Sequence, residues 1–390
     1  MEARTNSYVY GIDRHTLSLT SIHSGSEQNR FALGTLGVKE TSEIHVVDFD
    51  ADEFTLASLV YKCSGGIRAL ASTPWDASQL LVVSGGQAGR PSSSVSLVRL
   101  PDLPVNIVDD GTERTAEFVA QLESPVADQA VHKLAVHPVA QFRQAGVVAG
   151  AGVSIWDLSG QTASMKTVVS TARYSMDEIE AMAWDPASSS QLATADGPSV
   201  RGWDTRSDTA SSRPSFTVDY AHNGRVRAIN YNPNMPHILA TGGDDGCVRL
   251  WDTRSLAGPV IDIAHHTHWV YSVEFNPNHD QLVLSAGADG LVNLESVVSV
   301  SSAQAVAEIS DEQVAEIAGG GGPIDDFDYD EGDEIGKPTD GLVAQFDDHE
   351  TSVYAAHWSA ADPWIFASLS FDGRMVINTV PREEKYKILL

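Results

Sequence analysis

Three histidines in this chain stand at one fixed distance from three aspartates. His222 precedes Asp245, His266 precedes Asp289 and His349 precedes Asp372, each time by 23 residues. Four residues before each aspartate lies a hydroxyl: Thr241, Ser285 and Ser368. Imidazole, carboxylate and hydroxyl are the groups of nucleophilic and metal chemistry, and a single set would invite that reading. Three sets on one ruler point to architecture instead. An aspartate in a tight turn between two strands can accept hydrogen bonds from the turn amides and from a histidine on the preceding loop. The hydroxyl on the adjacent strand then holds the histidine, and the indole N–H of Trp251 completes the chain. Such a buried network stabilises only when every member is satisfied, which restricts the residue types. All ten residues are therefore read as structural.

Other candidates for chemistry are weak. His265, His266 and His268 form an HHTH cluster, but no HExxH or acidic ligand stands at metal-binding spacing. SGGQAGRP (Ser84–Pro91) has glycines without the Lys-Ser/Thr of a phosphate-binding loop and reads as a connection between strands. No GxSxG elbow occurs, and the two cysteines, Cys63 in or near a loop and Cys247 in a strand, have no expected histidine partner. No catalytic, cofactor-binding or metal-binding residue is assigned, and the expectation is a protein that is not an enzyme.

The elements that carry the ruler are strands. In residues 221–255 an alternating segment, Arg225–Tyr231, is followed by a turn at Asn232-Pro233, a strand at His237–Thr241, a tight turn at Asp245-Gly246 and a strand at Cys247–Trp251. Asn276-Pro277 with Asp289-Gly290, and later Asp372-Gly373, repeat the punctuation. Trp156, Trp203 and Trp251 are 47 and 48 residues apart, near the roughly 40–45 of a four-stranded propeller blade. Glu43–Asp50, Ser94–Leu100, Leu291–Glu295 and Met375–Asn378 look like the same strand in blades without that tryptophan. Glu295 and Asn378 stand at its position. Seven strands of one type predict seven blades, an all-β fold spanning residues 1–390 as one unit.

Charge is concentrated in one stretch. The chain of 390 residues is 42% hydrophobic and carries a formal charge of −28, which disfavours nucleic acid and anionic lipid. Between Glu308 and Glu350 lie 15 acidic residues and one base, Lys337. With Gly319–Gly322 and the run Asp325–Glu334, the composition predicts a disordered acidic loop over residues 303–343. Phe327 and Tyr329 would be its anchors if it lured a basic partner. No apolar run approaches 18 residues and the first residues lack a signal-peptide core. A reducing, cytoplasmic setting is expected, with no insertion into membrane.

Trp-Asp dipeptides, Asp-Gly turns and the His/hydroxyl/Asp/Trp set resemble the WD-repeat family. The resemblance implies a ring of blades in which Tyr8–Ile12 completes the blade made by residues 349–380. VRGWDTRS (Val200–Ser207), the segments His266–Gly290 and Ser359–Leu390, and the acidic insertion before the last blade resemble a narrower branch, the propellers that interact with the EARP and GARP tethering complexes. That resemblance implies a scaffold binding subunits of those complexes in endosomal recycling and endosome-to-trans-Golgi retrograde transport. It also implies peripheral residence at endosomes and the trans-Golgi network, and a monomer outside its complexes.

Two surfaces qualify for partners. Residues flanking the first apolar position of each inner strand should project onto one face: Glu178, Glu180, Arg225, Arg227, Trp269, Tyr271, Ser352 and Tyr354, with Asp244 and Phe371 just before the turn aspartates. Aromatic and arginine residues dominate binding hot spots. Alternatively, Arg206 and Arg254 lie in paired WDTR boxes, which resemble those of propellers serving as substrate receptors of cullin-RING ubiquitin ligases through an adaptor. The competing expectation there is an Arg–Asp brace between neighbouring strands.

Overall fold

The computed structural model describes residues 7–23, 28–37, 42–85, 93–108, 112, 114–122, 130–160, 163–171, 177–206, 213–303 and 339–389. They form seven sheets arranged as a ring, each built on four antiparallel strands, the blades A to G in chain order. The seven strands expected from the sequence are the third strands of the seven sheets: Ser42–Asp50, Ser94–Arg99, Gly152–Asp157, Ser199–Asp204, Val248–Asp252, Val292–Ser296 and Arg374–Thr379. The fourth strand of blade G is β1 (Tyr8–Gly11), which pairs Tyr8 with Ile377 and Gly11 with Arg374. The two ends of the chain thus share one sheet, and the ring has no open edge between its first and last blades.

Seven apolar clusters hold the ring, and each lies between two successive blades. Ile44, Val46 and Tyr61 of blade A meet Ile67, Leu80 and Val82 of blade B. Leu33 and Val47 of blade A meet Leu369 and Ile377 of blade G, so the same packing closes the circle. Alternating strands buried on both faces supply these side chains. Polar contacts between blades recur where the first strand turns into the second. Asn232 Nδ2 donates to Asp280 Oδ2 at 2.9 Å, Asn276 Nδ2 to the Pro363 carbonyl at 2.6 Å, and Ser359 Oγ to Asn29 Oδ1 at 2.7 Å.

Every inner strand carries a β-bulge directly after its first residue. A bulge re-aims the extra side chain, and in blades D to G that residue is Glu180, Arg227, Tyr271 and Tyr354.

Two features depart from the sequence reading. Of the acidic loop expected over 303–343, residues 304–338, with Phe327 and Tyr329, lie outside the described residues. Residues 341–343 begin the fourth strand of blade F, Gly341–Phe346, because Leu342 and Ala344 pair with Glu295 and Leu294. Blade A has a fifth strand, Arg114–Thr115, parallel to Thr55–Cys63. It belongs to the connection between the third and fourth strands of blade B, so blade B straps the outer edge of its neighbour. A short helix, α1 (Arg382–Leu389), ends the described chain and lays Ile388 on the cluster between blades F and G. Among the described residues no helix is long and apolar enough to cross a membrane.

Candidate protein-recognition face

The polar network comes first, because it fixes the turns that frame the face. In blade E, His222 Nδ1 meets Asp245 Oδ1 at 2.8 Å and Nε2 meets Thr241 Oγ1 at 2.7 Å, while Trp251 Nε1 donates to the same hydroxyl at 2.9 Å. Asp245 also accepts from the Asn223 amide and from Arg249 Nη1. Burial opposes ionisation of Asp245, but these donors outweigh it and hold the carboxyl far below the usual carboxylate range. Blade F repeats the arrangement, with His266 Nδ1 at 3.0 Å from Asp289 and Nε2 at 2.9 Å from Ser285. Glu295, at the tryptophan position, meets His265 Nδ1 at 2.8 Å, and burial raises its pKa. His268 of the same cluster accepts from the Trp269 amide, so the three histidines do not converge.

Blade G corrects the expected pattern. His349 does bond Ser368, at 2.7 Å, but it does not bond Asp372. Ser370 intervenes: His349 Nδ1 meets its hydroxyl at 2.9 Å, and that hydroxyl donates to Asp372 at 2.6 Å. The reason is the residue at this register position. It is Gly243 in blade E and Gly287 in blade F, where a Cβ would collide with the histidine ring or its aspartate. A serine there holds ring and carboxylate apart and relays between them. Asn378, at the tryptophan position, donates instead to Asp348 at 3.0 Å.

On this frame the expected face residues form a continuous band. Arg225 Nη1 donates to Glu180 Oε1 at 2.8 Å, and Arg227 lies 3.6 Å from the other oxygen of Glu180. Arg227 Nε donates to Asp244 Oδ1 at 2.6 Å, and its guanidinium covers the Trp269 ring at 4.8 Å. Burial disfavours the Arg227 charge, but the Asp244 hydrogen bond and both carboxylates raise its pKa above the ordinary value. Trp269 meets Tyr271 edge-on, with ring centroids 6.2 Å apart. Tyr271 stacks on Tyr354 at 4.6 Å, and Tyr354 reaches Phe371 at 5.9 Å. Burial, with Tyr354 beside it, pushes the Tyr271 phenol up to about 12. Trp269 is 39% and Phe371 37% exposed, so the band presents aromatic surface to solvent. Ser352 is joined through its hydroxyl to the Ala288 carbonyl, and Glu178 is exposed at the margin.

Sequence reasoning missed one member. His15 stacks on Phe371 with centroids 4.4 Å apart and carries the band into blade A. It directly precedes the inner strand Thr16–Ser21, as Arg225, Trp269 and Ser352 precede theirs. The same offset applied to blade A would have found it.

Arg206 and Arg254 lie elsewhere. Each follows a third strand, which runs away from the Asp-Gly turns, so they sit on the opposite face. The brace is local rather than between neighbouring strands. Arg206 donates through Nε and Nη2 to Asp204 two residues earlier, and Arg254 does the same to Asp252. Such a fork satisfies each carboxylate within one turn, yet the arginine side chains stay 74% and 65% exposed.

A family model described as the EIPR1 beta-propeller matches residues 4–294, and the WD domain, G-beta repeat, matches residues 341–377. The chain belongs to the EIPR1 β-propeller family. Among its relatives is the EARP and GARP complex-interacting protein 1 of Rattus norvegicus, 32% identical with 98% of each chain covered. The EARP-interacting protein homolog of Gekko japonicus is likewise 32% identical at the same coverage. The EARP-interacting protein 1 of Caenorhabditis elegans is 30% identical, again with 98% of both chains covered. The EIPR1 match takes in blades A to E and most of blade F, including the N-terminal blades that lack the Trp-Asp signature.

Proposed function

We propose that this protein is a non-enzymatic adaptor that binds subunits of the EARP and GARP tethering complexes through the aromatic face. The observation that carries the reading is the band from Arg227 over Trp269, Tyr271 and Tyr354 to Phe371. It combines exposed rings, a guanidinium already oriented by Asp244, and rigid inner strands that lose little entropy on binding. The names of its relatives state interaction with those complexes and supply the class of partner. The histidine, hydroxyl and carboxylate groups of catalytic type are committed to one another inside the blades. On this reading the protein acts in endosomal recycling and retrograde traffic to the trans-Golgi network. It is a cytoplasmic monomer between engagements, held at membranes through its partners.

The test is quantitative affinity purification from cell lysate. Trp269→Ala/Tyr271→Ala is expected to reduce recovery of tethering subunits by at least about tenfold, the effect of losing hot-spot side chains. Arg206→Ala/Arg254→Ala should leave recovery unchanged. A cullin-RING adaptor recovered with the wild type and lost only with the arginine change would replace this reading by the ligase-receptor one. Undiminished recovery with the aromatic variant would place the partner on another surface.

A further inference from the structure

The inner-strand position after each bulge holds a small residue in six blades. Ser18, Ala69, Ala181, Ala228, Ser272 and Ala355 occupy it in equivalent registers. In blade C the residue is Lys133, opposite Val148. The inner strands converge here, and Ala181, Ala228 and Ala355 are buried. Lys133 is exposed, so its chain runs out of this packed layer into the central channel. Its charge acts on Glu180 and Arg227, in the next two blades, and on His357 of blade G across the ring. A charge felt in blades D, E and G at once lies toward the ring axis.

The channel does not balance this cation. Among the described residues no carboxylate lies within ion-pair distance of Lys133. Glu180 is shared by Arg225 and Arg227, and Asp244 is taken by Arg227. Glu274 is held by His357 at 3.2 Å and by the Trp358 amide at 3.1 Å. Each of these carboxylates is thus engaged by another partner, and Lys133 is left as a cation with no carboxylate of its own inside a chain of net −28. Lys133 is open to the water of the channel but enclosed by its walls, and this partial desolvation pushes the ammonium below its ordinary pKa, with Glu180 offsetting only part of it. Tyr271 and Tyr354 lie at the bulge, one residue nearer the strand starts that form the mouth.

We propose that the central channel, beneath the aromatic mouth, binds a carboxylate group with Lys133 as its cation. A single ammonium without a carboxylate of its own matches one carboxylate group, and Glu180 nearby disfavours further negative charge. The stacked tyrosines give an apolar wall to whatever carries the carboxylate. The group can arrive on a free small acid or on an acidic side chain or C-terminus of a protein docked on the face. Only the second source rests on the adaptor reading.

The experiment titrates the purified full chain with N-acetylphenylalanine and with its neutral carboxamide, by calorimetry at millimolar probe. The acid is expected to bind about tenfold more tightly than the amide, one charge-assisted contact's worth. Lys133→Ala should abolish the difference and Lys133→Arg should keep it. The alanine variant gives blade C the residue type of the other blades, and an unchanged melting temperature confirms that it folds. Equal binding of acid and amide to the wild type, or an acid preference that survives Lys133→Ala, overturns the proposal. A second arm repeats the affinity purification with Lys133→Ala. A fall of about fivefold or more in tethering subunits assigns the carboxylate to the partner, and full recovery assigns it to a free acid. If the wild type recovers no tethering subunits, the adaptor reading fails while the probe titration still decides the channel site.

Discussion

Blade E joins Thr241 to Trp251 and His222 by hydrogen bonds, whereas blade A places Leu33 and Val47 at the register positions of Thr241 and Trp251. Leu33 and Val47 are both fully buried, in the cluster that seals blade A against blade G. Blade A puts its polar investment elsewhere, in Arg30, which pairs with both oxygens of Asp48 and donates to the carbonyls of Pro104 and Val105 in the strap from blade B. Both blades keep the same bulge and the same strand order. The comparison teaches that ring geometry demands buried, complementary surfaces between neighbours, and that a hydrogen-bonded network is one way of filling them and an aliphatic contact another.

Breaking the Arg30 pair is the harshest way to separate the two designs. Arg30→Ala leaves Asp48 buried without its partner and releases the strap, and is expected to cost about 3–5 kcal/mol in denaturant unfolding. A loss below about 1 kcal/mol would show that blade A owes nothing to the pair. Acid titration probes the polar side. Burial holds His349 at about 4, below the ordinary histidine value, so the folded state binds fewer protons than the unfolded one. Its stability is complete above about pH 6.5 and falls as pH drops toward 4, by about 3 kcal/mol through this residue. His349→Gln should flatten that limb. Asp245 and Asp289, both depressed, contribute stability that is present above about pH 4 and is lost below it. The decline should therefore come in two stages, and a single stage starting below pH 4 would remove His349 from the account.

Gentler changes sharpen the contrast. Trp251→Phe deletes the indole donor while Thr241 keeps its other partners, and should cost about 1 kcal/mol. No comparable polar loss is available at Val47 of blade A. Ser370→Gly gives blade G the glycine of blades E and F, and should change stability by less than about 1 kcal/mol. Its readout is the His349 imidazole, whose nitrogen resonances should move toward those of His222 as it meets Asp372 directly.

That pattern also explains what the sequence disclosed. A network needs particular atoms, so His222, Asp245 and Trp251 leave a mark that spacing can detect: three strands of blade E and the third strands of blades F and G were placed to within a residue or two. Aliphatic filling accepts many residues at each position, so blade A showed only an alternating strand, and its strap and buried Arg30–Asp48 pair left no periodic trace. The Ser370 relay was hidden for a related reason: the expected partners were all present, and only the residue between them changed. On the recognition face the band followed from one offset, because a bulge at a constant position aims every extra residue the same way. Lys133 escaped because its significance is comparative, emerging only when seven inner strands are laid in register.

The pairing of Tyr8 with Ile377 sets an order on biosynthesis. Residues 8–11 leave the ribosome first and wait for residues 374–379, so the N-terminal strand stays without its sheet until nearly the whole ring has been translated. At roughly 5–20 residues per second that interval lasts on the order of 20 to 70 seconds. During it both flanks of the growing arc carry unpaired strands and apolar faces. Contacts this distant in sequence also slow the final step of folding. The nascent protein thus passes through a stage in which it has most of its blades and none of its closure, and chaperones have their longest opportunity to act there.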